Sequence, residues 1–218
     1  MKIALINPNT NADTTMRMVR IAAPHFAGQI DGLTAGFGSA LITTEDALNT
    51  AGKAVLALQP QLEGYQAVVV SAFGDPGQEA LARALSMPVV GIAQAAMSEA
   101  SAIASRFCVV TTTPGLVARI AQRASELGHG SAFAGTWITP GDPVALTTDP
   151  DRLLAALHDA TVAALSDDPA IEAVIIGGGP LAEAAKALAA QVPVPIVQPI
   201  PAALRLVQLG LSTQDLHT

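Results

Sequence analysis

The segment AVVVSAFGDPG, residues 67–77, is a short apolar run that ends in a turn of small and turn-forming residues. Its uncharged, valine-rich start predicts a strand of a parallel sheet with helices on both faces. The turn from Ser71 to Gly77 is typical of a strand-to-helix connection whose backbone N–H groups converge on an anion. A plain tight turn capped by Asp75 explains the same residues equally well.

A second segment of this kind, AVIIGGGPL, occupies residues 173–181. Its glycines close a strand and open a helix, which brings several amides and a helix N-terminus to one spot. The two strand ends, Ala72 and Gly178, lie 106 residues apart, and two further pairs of strand ends recur at offsets of 104 and 107 residues. This spacing predicts two similar α/β lobes, residues 1–100 and 101–200. Because ligands bind beyond the carboxyl ends of parallel strands, we expect both lobes to face one cleft.

The rest of the chain alternates short β-branched runs with longer Ala- and Leu-rich stretches of helical period, as expected of βαβ units. We predict strands at residues 2–7, 67–72, 89–92, 107–111, 173–176 and 195–197. We predict helices at residues 13–23, 45–58, 78–85, 93–105, 114–127, 150–165, 181–190 and 201–209.

Composition excludes several classes of protein. Half of the 218 residues are apolar and only 13% are charged, which excludes intrinsic disorder. The net charge of -7, without any run of Lys or Arg, argues against a nucleic-acid partner. The longest uncharged stretch, residues 187–204, contains four prolines that would break a membrane-spanning helix. The opening residues are too short for a signal peptide, so we expect a soluble, cytoplasmic chain without a membrane partner.

Few residues offer metal or thiol chemistry. None of the four histidines has a second His or Cys at ligand spacing, so we expect no metal site. The single cysteine, Cys108, excludes an internal disulfide and lies in an apolar strand, where a buried structural thiol is expected. Asn7 and the hydroxyls of Thr111, Thr112 and Thr113 follow strands and could bind a ligand, although turn formation and helix capping also explain them.

Five segments together resemble the aspartate/glutamate/hydantoin racemase superfamily, and within it the hydantoin and allantoin racemase branch: INPNT at 6–10, AFGDPG at 72–77, GIAQAAM at 91–97, VVTT at 109–112 and IGGGPL at 176–181. The resemblance implies two pseudo-symmetric α/β lobes, each a parallel four-stranded sheet flanked by helices, with the active-site cleft between them. A C-terminal helix at 201–218 could complete the first lobe. The resemblance also implies a site without cofactors and a homo-oligomer.

The family chemistry places one cysteine from each lobe on either side of the substrate's acidic carbon. The positions of this chain that match those cysteines are Ala72 and Gly178, and neither side chain can transfer a proton. Gln94 and Gln198 also stand where members of the family often have Glu and Asp. Racemisation by two thiols is therefore disfavoured.

Two main hypotheses follow. The first is an enzyme that acts on a small substrate bearing a carboxylate, imide or ureide group, with Asp75 as the base and Ser71 as an orienting group. Its substrate-binding residues would be Asn7, Phe73, Gly74, Thr111, Thr112, Thr113, Gly177, Gly179, Pro180 and Leu181. Isomerase, lyase and hydrolase outcomes stay open. The second is an inactive family member that binds a small anionic metabolite or a partner protein. A weaker third hypothesis is a phosphate-ligand enzyme that uses residues 177–179.

Overall fold

The computed structural model describes residues 1–215 and contains two parallel four-stranded sheets. The first sheet has the order β2-β1-β3-β4, and the second has the order β6-β5-β7-β8. The strands of the first sheet are β1 (Lys2–Asn7), β2 (Gln29–Thr34), β3 (Ala67–Val70) and β4 (Val89–Gly91). The strands of the second sheet are β5 (Phe107–Thr111), β6 (Phe133–Ile138), β7 (Ala173–Ile176) and β8 (Ile196–Val197). The two halves therefore repeat one topology, and the predicted α/β fold with paired four-stranded sheets is confirmed.

Helices connect the strands and cover both sheets. The α-helices are α1 (Ala12–Ala22), α2 (Glu45–Ala57), α3 (Gln78–Ala84), α4 (Ile92–Ile103), α5 (Val117–Glu126), α6 (Pro143–Thr147), α7 (Pro150–Asp167), α8 (Ala182–Leu188) and α9 (Pro199–Asp215). Short 3-10 helices lie at Ala23–His25, Gln59–Gln61, Pro114–Leu116 and Gly179–Leu181. No helix in the described range 1–215 is both long and apolar enough to cross a membrane.

The edge strands β2 and β6 were absent from the sequence-based prediction. Each lies at the outer edge of its sheet, and most of its residues are only half-buried. Each also contains a glycine, Gly32 or Gly135, so neither is the uniform apolar run that marks a central strand. The strand predicted at 67–72 ends at Val70, which leaves Ser71 and Ala72 in the turn.

Side chains alternate along the central strands and divide the interior into three layers. In β5, Phe107 and Val109 join a central core that reaches both sheets, whereas Cys108 and Val110 join an outer core beneath α7 and α8. In β1, β3 and β7 the odd-numbered residues likewise face the central layer, as expected for a strand period of two.

Helix α4 lies in the central layer and contacts β4 of the first sheet and β7 of the second. Helix α9 packs against α4, α1, β3 and β4. The C-terminal helix therefore packs on the first sheet. Residues 216–218 of the predicted segment lie outside the described range.

Candidate functional site

One cavity of about 570 Å³ opens at the carboxyl ends of both sheets. The turns after β3 and β7 line it, together with the turn after β5, one face of α1 and part of α6. Ala72 and Gly178, the two strand-end positions predicted to match the family cysteines, are both among its lining residues. The position of this cavity agrees with the cleft expected between two lobes.

The turns after β3 and β7 approach each other closely. A Cβ atom built on Gly179 would lie 3.3 Å from the backbone oxygen of Ser71 and 2.6 Å from the sulfur of Met18. A Cβ atom built on Gly177 would lie 3.3 Å from the ring of Phe73. The glycines of the second turn therefore leave room for the first turn and for α1. Gly178 itself has an extended backbone with φ 168°, which any residue adopts.

Asp75, the predicted base, lies outside the lining of the cavity. Its buried carboxylate accepts N–H groups from Ala93 (2.8 Å) and Gln94 (2.7 Å) at the start of α4, and it pairs with Arg123 Nε at 3.1 Å. Burial raises the pKa of the Asp75 carboxyl above its ordinary value, while the Arg123 guanidinium and the two N–H donors oppose that rise. The raised pKa suits a base, but the carboxylate is directed at α4 and α5 instead of the cavity.

Arg123 holds the first turn from the other half of the chain. It lies on α5, is only 3% exposed, and donates to Gln78 Oε1 at 3.0 Å and to Glu79 Oε1 at 2.6 Å besides its bond to Asp75. Gly91 completes this cluster, because a Cβ atom at that position would overlap the Asp75 carboxylate. The turn that carries position 72 is thus fixed by a buried network of charges between the two halves.

The turn after β7 is held by neutral groups. Gly177 N–H donates to Val110 O at 2.8 Å, and Gly178 N–H donates to Ile176 O at 3.0 Å. The hydroxyl of Thr111 donates to Gly177 O at 2.6 Å. Two of the three glycine amides therefore already have partners, which leaves fewer amides for an anion than the several that the sequence predicts. The phosphate hypothesis loses its main support.

Asn7 is buried and shapes the first turn of the chain without lining the cavity. Its side-chain amide donates to Asn9 Oδ1 at 2.8 Å, to Asn11 O at 2.9 Å and to Thr15 Oγ1 at 2.9 Å. Asn9 and Asn11 line the cavity in its place. Asn7 therefore positions binding groups and does not reach the cavity itself.

Most of the other predicted site residues do line the cavity: residues 71–73, 111–113 and 177–181. Gly74 does not, and its backbone has φ +121° where a Cβ atom would lie 3.1 Å from the side chain of Leu48. Together with Asn7 and Asp75, Gly74 is one of three predicted residues that support the turns from behind.

The sequence-based prediction missed the contribution of α1. Asp13, Arg17 and Met18 line the cavity from this helix, and Thr147 at the end of α6 and the following Thr148 also line it. Asp13 and Arg17 are the charged residues of the lining within residues 1–215, and neither side chain forms a hydrogen bond or ion pair there. One sequence feature could have indicated this contribution: α1 follows the first strand directly, so its N-terminus lies at the carboxyl edge of the sheet.

Ser71 lines the cavity and carries a buried hydroxyl. The residue is 3% exposed, and its Oγ atom has no hydrogen-bond partner in the described part of the chain. A buried hydroxyl without a partner costs about 1–3 kcal/mol, which is recovered when a ligand supplies the missing bond. Ser71 therefore has the environment of a ligand-binding group.

Cys108 is remote from this chemistry. The residue is buried in the outer core beneath α7 and α8, on the face of β5 that points away from the central layer. Burial, with the nearby charge of Asp168 as a smaller cause, raises the pKa of the Cys108 thiol to about 12. The thiol is therefore protonated and inert at neutral pH. No cysteine or histidine is among the cavity-lining residues of the described range.

Comparison with known proteins gives consistent results. A family model described as Asp/Glu/Hydantoin racemase matches residues 3–207. A hydantoin racemase from Pseudomonas sp. (strain NS671) is 30% identical over 226 residues, covering 100% of this chain and 90% of that protein. The allantoin racemase structure from Pseudomonas fluorescens superposes with a TM-score of 0.93 at 26% identity, covering 98% of this chain and 92% of that one. The allantoin racemase from Klebsiella pneumoniae gives a TM-score of 0.90 at 27% identity, covering 98% and 89%.

Proposed function

This chain belongs to the Asp/Glu/hydantoin racemase family, and we propose that it is a cofactor-independent enzyme that moves a proton at a carbon next to a carbonyl group. Its substrate is a small molecule with a carboxylate, imide or ureide group. The chemistry proceeds without the pair of cysteines that flank the substrate in the family mechanism. The observation that carries this proposal is the single cavity lined by both strand-end turns, with Ala72 in one turn and Gly178 in the other.

The proton acceptor that we propose is Asp13. The chain has one cysteine, which lies in the outer core, and Asp75 is engaged by Arg123. Asp13 supplies the carboxylate of the cavity lining, and its oxygens have no partner within residues 1–215. In the proposed step the carboxylate takes the proton from the substrate carbon, and the electron pair moves into the adjacent carbonyl. Return of a proton to that carbon restores the carboxylate.

Ser71 has the second role in the proposal. Its unpartnered hydroxyl donates to the carbonyl oxygen of the substrate, on which negative charge develops when the carbon loses its proton. A donor held in place before the reaction stabilises that charge without reorganisation. Ser71 thus orients the substrate, and Asp13 performs the transfer.

The test is exchange of the substrate α-proton in heavy water, measured by NMR over a panel of hydantoins, allantoin, amino acids and dicarboxylates. We expect exchange with at least one compound and a loss of about 10²–10⁴-fold in Asp13→Asn, the usual effect of removing a general base. Asp46→Asn is the matched control, because Asp46 lies in the first turn of α2 and outside the cavity lining. Absence of exchange with every compound, or equal loss in both variants, would contradict the proposal.

The alternative function is binding without chemistry, and the absence of a thiol or imidazole from the described cavity lining favours it. An inactive member would still be stabilised by its ligand. At a hundredfold excess over the dissociation constant, binding raises the free energy of unfolding by about 2.7 kcal/mol. A panel that raises the melting temperature but gives no exchange and no product would support this alternative.

Two further predictions remain: a homo-oligomer, which the resemblance implies, and a cytoplasmic location. Several large apolar side chains are exposed on the monomer, including Met16, Phe37 and Ile103. Light scattering on the purified protein measures the molar mass in solution and tests the first prediction.

A further inference from the structure

We propose that Arg17 selects substrates that carry a carboxylate, by binding that group at the entrance of the cavity. This inference rests on the proposed function and narrows its substrate class, since it favours acids over neutral imides and ureides. Four features of the described residues support it: the position of Arg17, its lack of an ionic partner, the helix terminus beside it and the free hydroxyl of Ser71.

Arg17 is the cationic residue of the cavity lining within the described chain. Its side chain is exposed on α1 and forms no ion pair there, whereas most other arginines are paired: Arg83, Arg106, Arg119, Arg123 and Arg205. Arg20 and Arg152 also form no ion pair, but neither lines the cavity. A guanidinium at a cavity entrance offers a planar pair of N–H donors that matches a carboxylate.

The start of α1 adds to the positive potential at this place. Asn11 caps the helix by accepting the N–H of Thr14 at 3.1 Å, and both residues line the cavity. The partial positive charge of a helix N-terminus favours an anion nearby. In a chain with a net charge of -7, Arg17 and this helix terminus offer an anion a place to bind, with Asp13 as the other charged residue of the lining.

Ser71 supplies an independent sign that a ligand belongs here. Its buried hydroxyl lacks a partner and lies in the lining of the same cavity as Arg17. A ligand that spans the two residues would carry a carboxylate at one end and a polar oxygen or nitrogen at the other. Small acids with a second carbonyl group have that arrangement.

The position of Asp13 fits such a ligand. Asp13 and Arg17 are four residues apart on α1, so their Cβ atoms are about 6 Å apart on one helix face. A carboxylate bound to Arg17 keeps its oxygens on the cation and brings the neighbouring carbon toward Asp13. A neutral ring lacks the charge that would fix it in this orientation, because only an ionised group forms a charge-assisted bond with the guanidinium.

The experiment compares succinate with succinimide, two compounds of equal carbon number that differ in charge. Dissociation constants are measured by calorimetry for the wild-type protein and for Arg17→Gln, Arg17→Lys and Arg20→Gln. Arg20 is the matched control because it lies on the same helix, is also unpaired and carries the same charge outside the lining. Melting temperatures of all variants confirm that the proteins are folded.

We expect succinate to bind Arg17→Gln about tenfold more weakly than wild type, with partial recovery in Arg17→Lys and no change in Arg20→Gln. Binding of succinimide should be weaker than that of succinate and insensitive to Arg17. Equal loss in Arg17→Gln and Arg20→Gln, or the absence of succinate binding to wild type, would overturn the inference. Exchange of a carboxylate-bearing substrate at the same rate in wild type and Arg17→Gln would overturn it too while leaving the proposed function intact. Absence of exchange with every compound would instead overturn the proposed function.

Discussion

The turn after β3 and the turn after β7 occupy equivalent places in the two halves, yet different forces hold them. The first, residues 71–77, depends on the buried ion pair between Asp75 and Arg123. The second, residues 177–181, depends on backbone bonds and the hydroxyl of Thr111. Two halves with the same topology are therefore not stabilised by the same interactions. The first turn is fixed by a residue from the other half, so the geometry of the cavity is coupled to the packing of the halves.

The largest effect should come from Arg123→Met. Removing the cation leaves the buried carboxylate of Asp75 without its partner, which costs about 3–5 kcal/mol of unfolding free energy. Arg119→Met is the control, because the Arg119 pair with Glu126 is partly exposed and worth less than about 1 kcal/mol. Chemical denaturation measures both variants. Equal losses would show that the first turn does not depend on the buried pair.

Gly91→Ala tests the same turn from the opposite side. The added Cβ atom would overlap the Asp75 carboxylate, and the resulting displacement should cost about 1–3 kcal/mol, as for overpacked cores. Gly36→Ala is a matched control with no atom within 4 Å of the new Cβ. A Gly91→Ala protein as stable as Gly36→Ala would contradict the packing described for this cluster.

Thr111→Val sharpens the comparison for the second turn. The substitution removes the donor to Gly177 O and leaves a buried carbonyl without that bond, for a loss of about 1–2 kcal/mol. The effect should be smaller than that of Arg123→Met, since no charge is left unpaired. If denaturation gives the reverse order, the second turn is the more strongly held of the two.

Ser71→Ala should have the smallest effect on stability. Its hydroxyl has no partner, so its removal should change the unfolding free energy by less than about 0.5 kcal/mol or increase it. The same variant should lower ligand affinity and α-proton exchange. A marked loss of stability would show that the hydroxyl has a structural role.

The central strands were predictable from the sequence because they are buried on both faces and therefore apolar throughout, as in VVV at 68–70. The edge strands β2 and β6 were not, since half-burial admits polar residues and glycines such as Asp31 and Gly32. The other six strands, including β4 and β8 at the opposite edges, could be predicted. A resemblance over the whole chain supplied the number of strands in each sheet.

The candidate site was predictable only to the level of segments. The turns at the strand ends could be named from the sequence because the carboxyl edge of a parallel sheet is fixed by topology. The direction of each side chain could not be predicted. Asp75 was therefore assigned to the cavity, although Arg123, 48 residues later, binds the Asp75 carboxylate in the core. The contribution of Arg17 depends on how α1 is rotated about its axis. Spacing along one helix does not reveal that rotation without its packing partners.

The central claim is that the cavity transfers a proton without sulfur. The most direct measurement is α-proton exchange in heavy water by Cys108→Ala, a variant with no cysteine at all. The buried thiol, with its pKa raised to about 12 and its place in the outer core, predicts the same exchange rate as wild type. Loss of exchange in a folded Cys108→Ala protein would show that sulfur is required and would contradict the account.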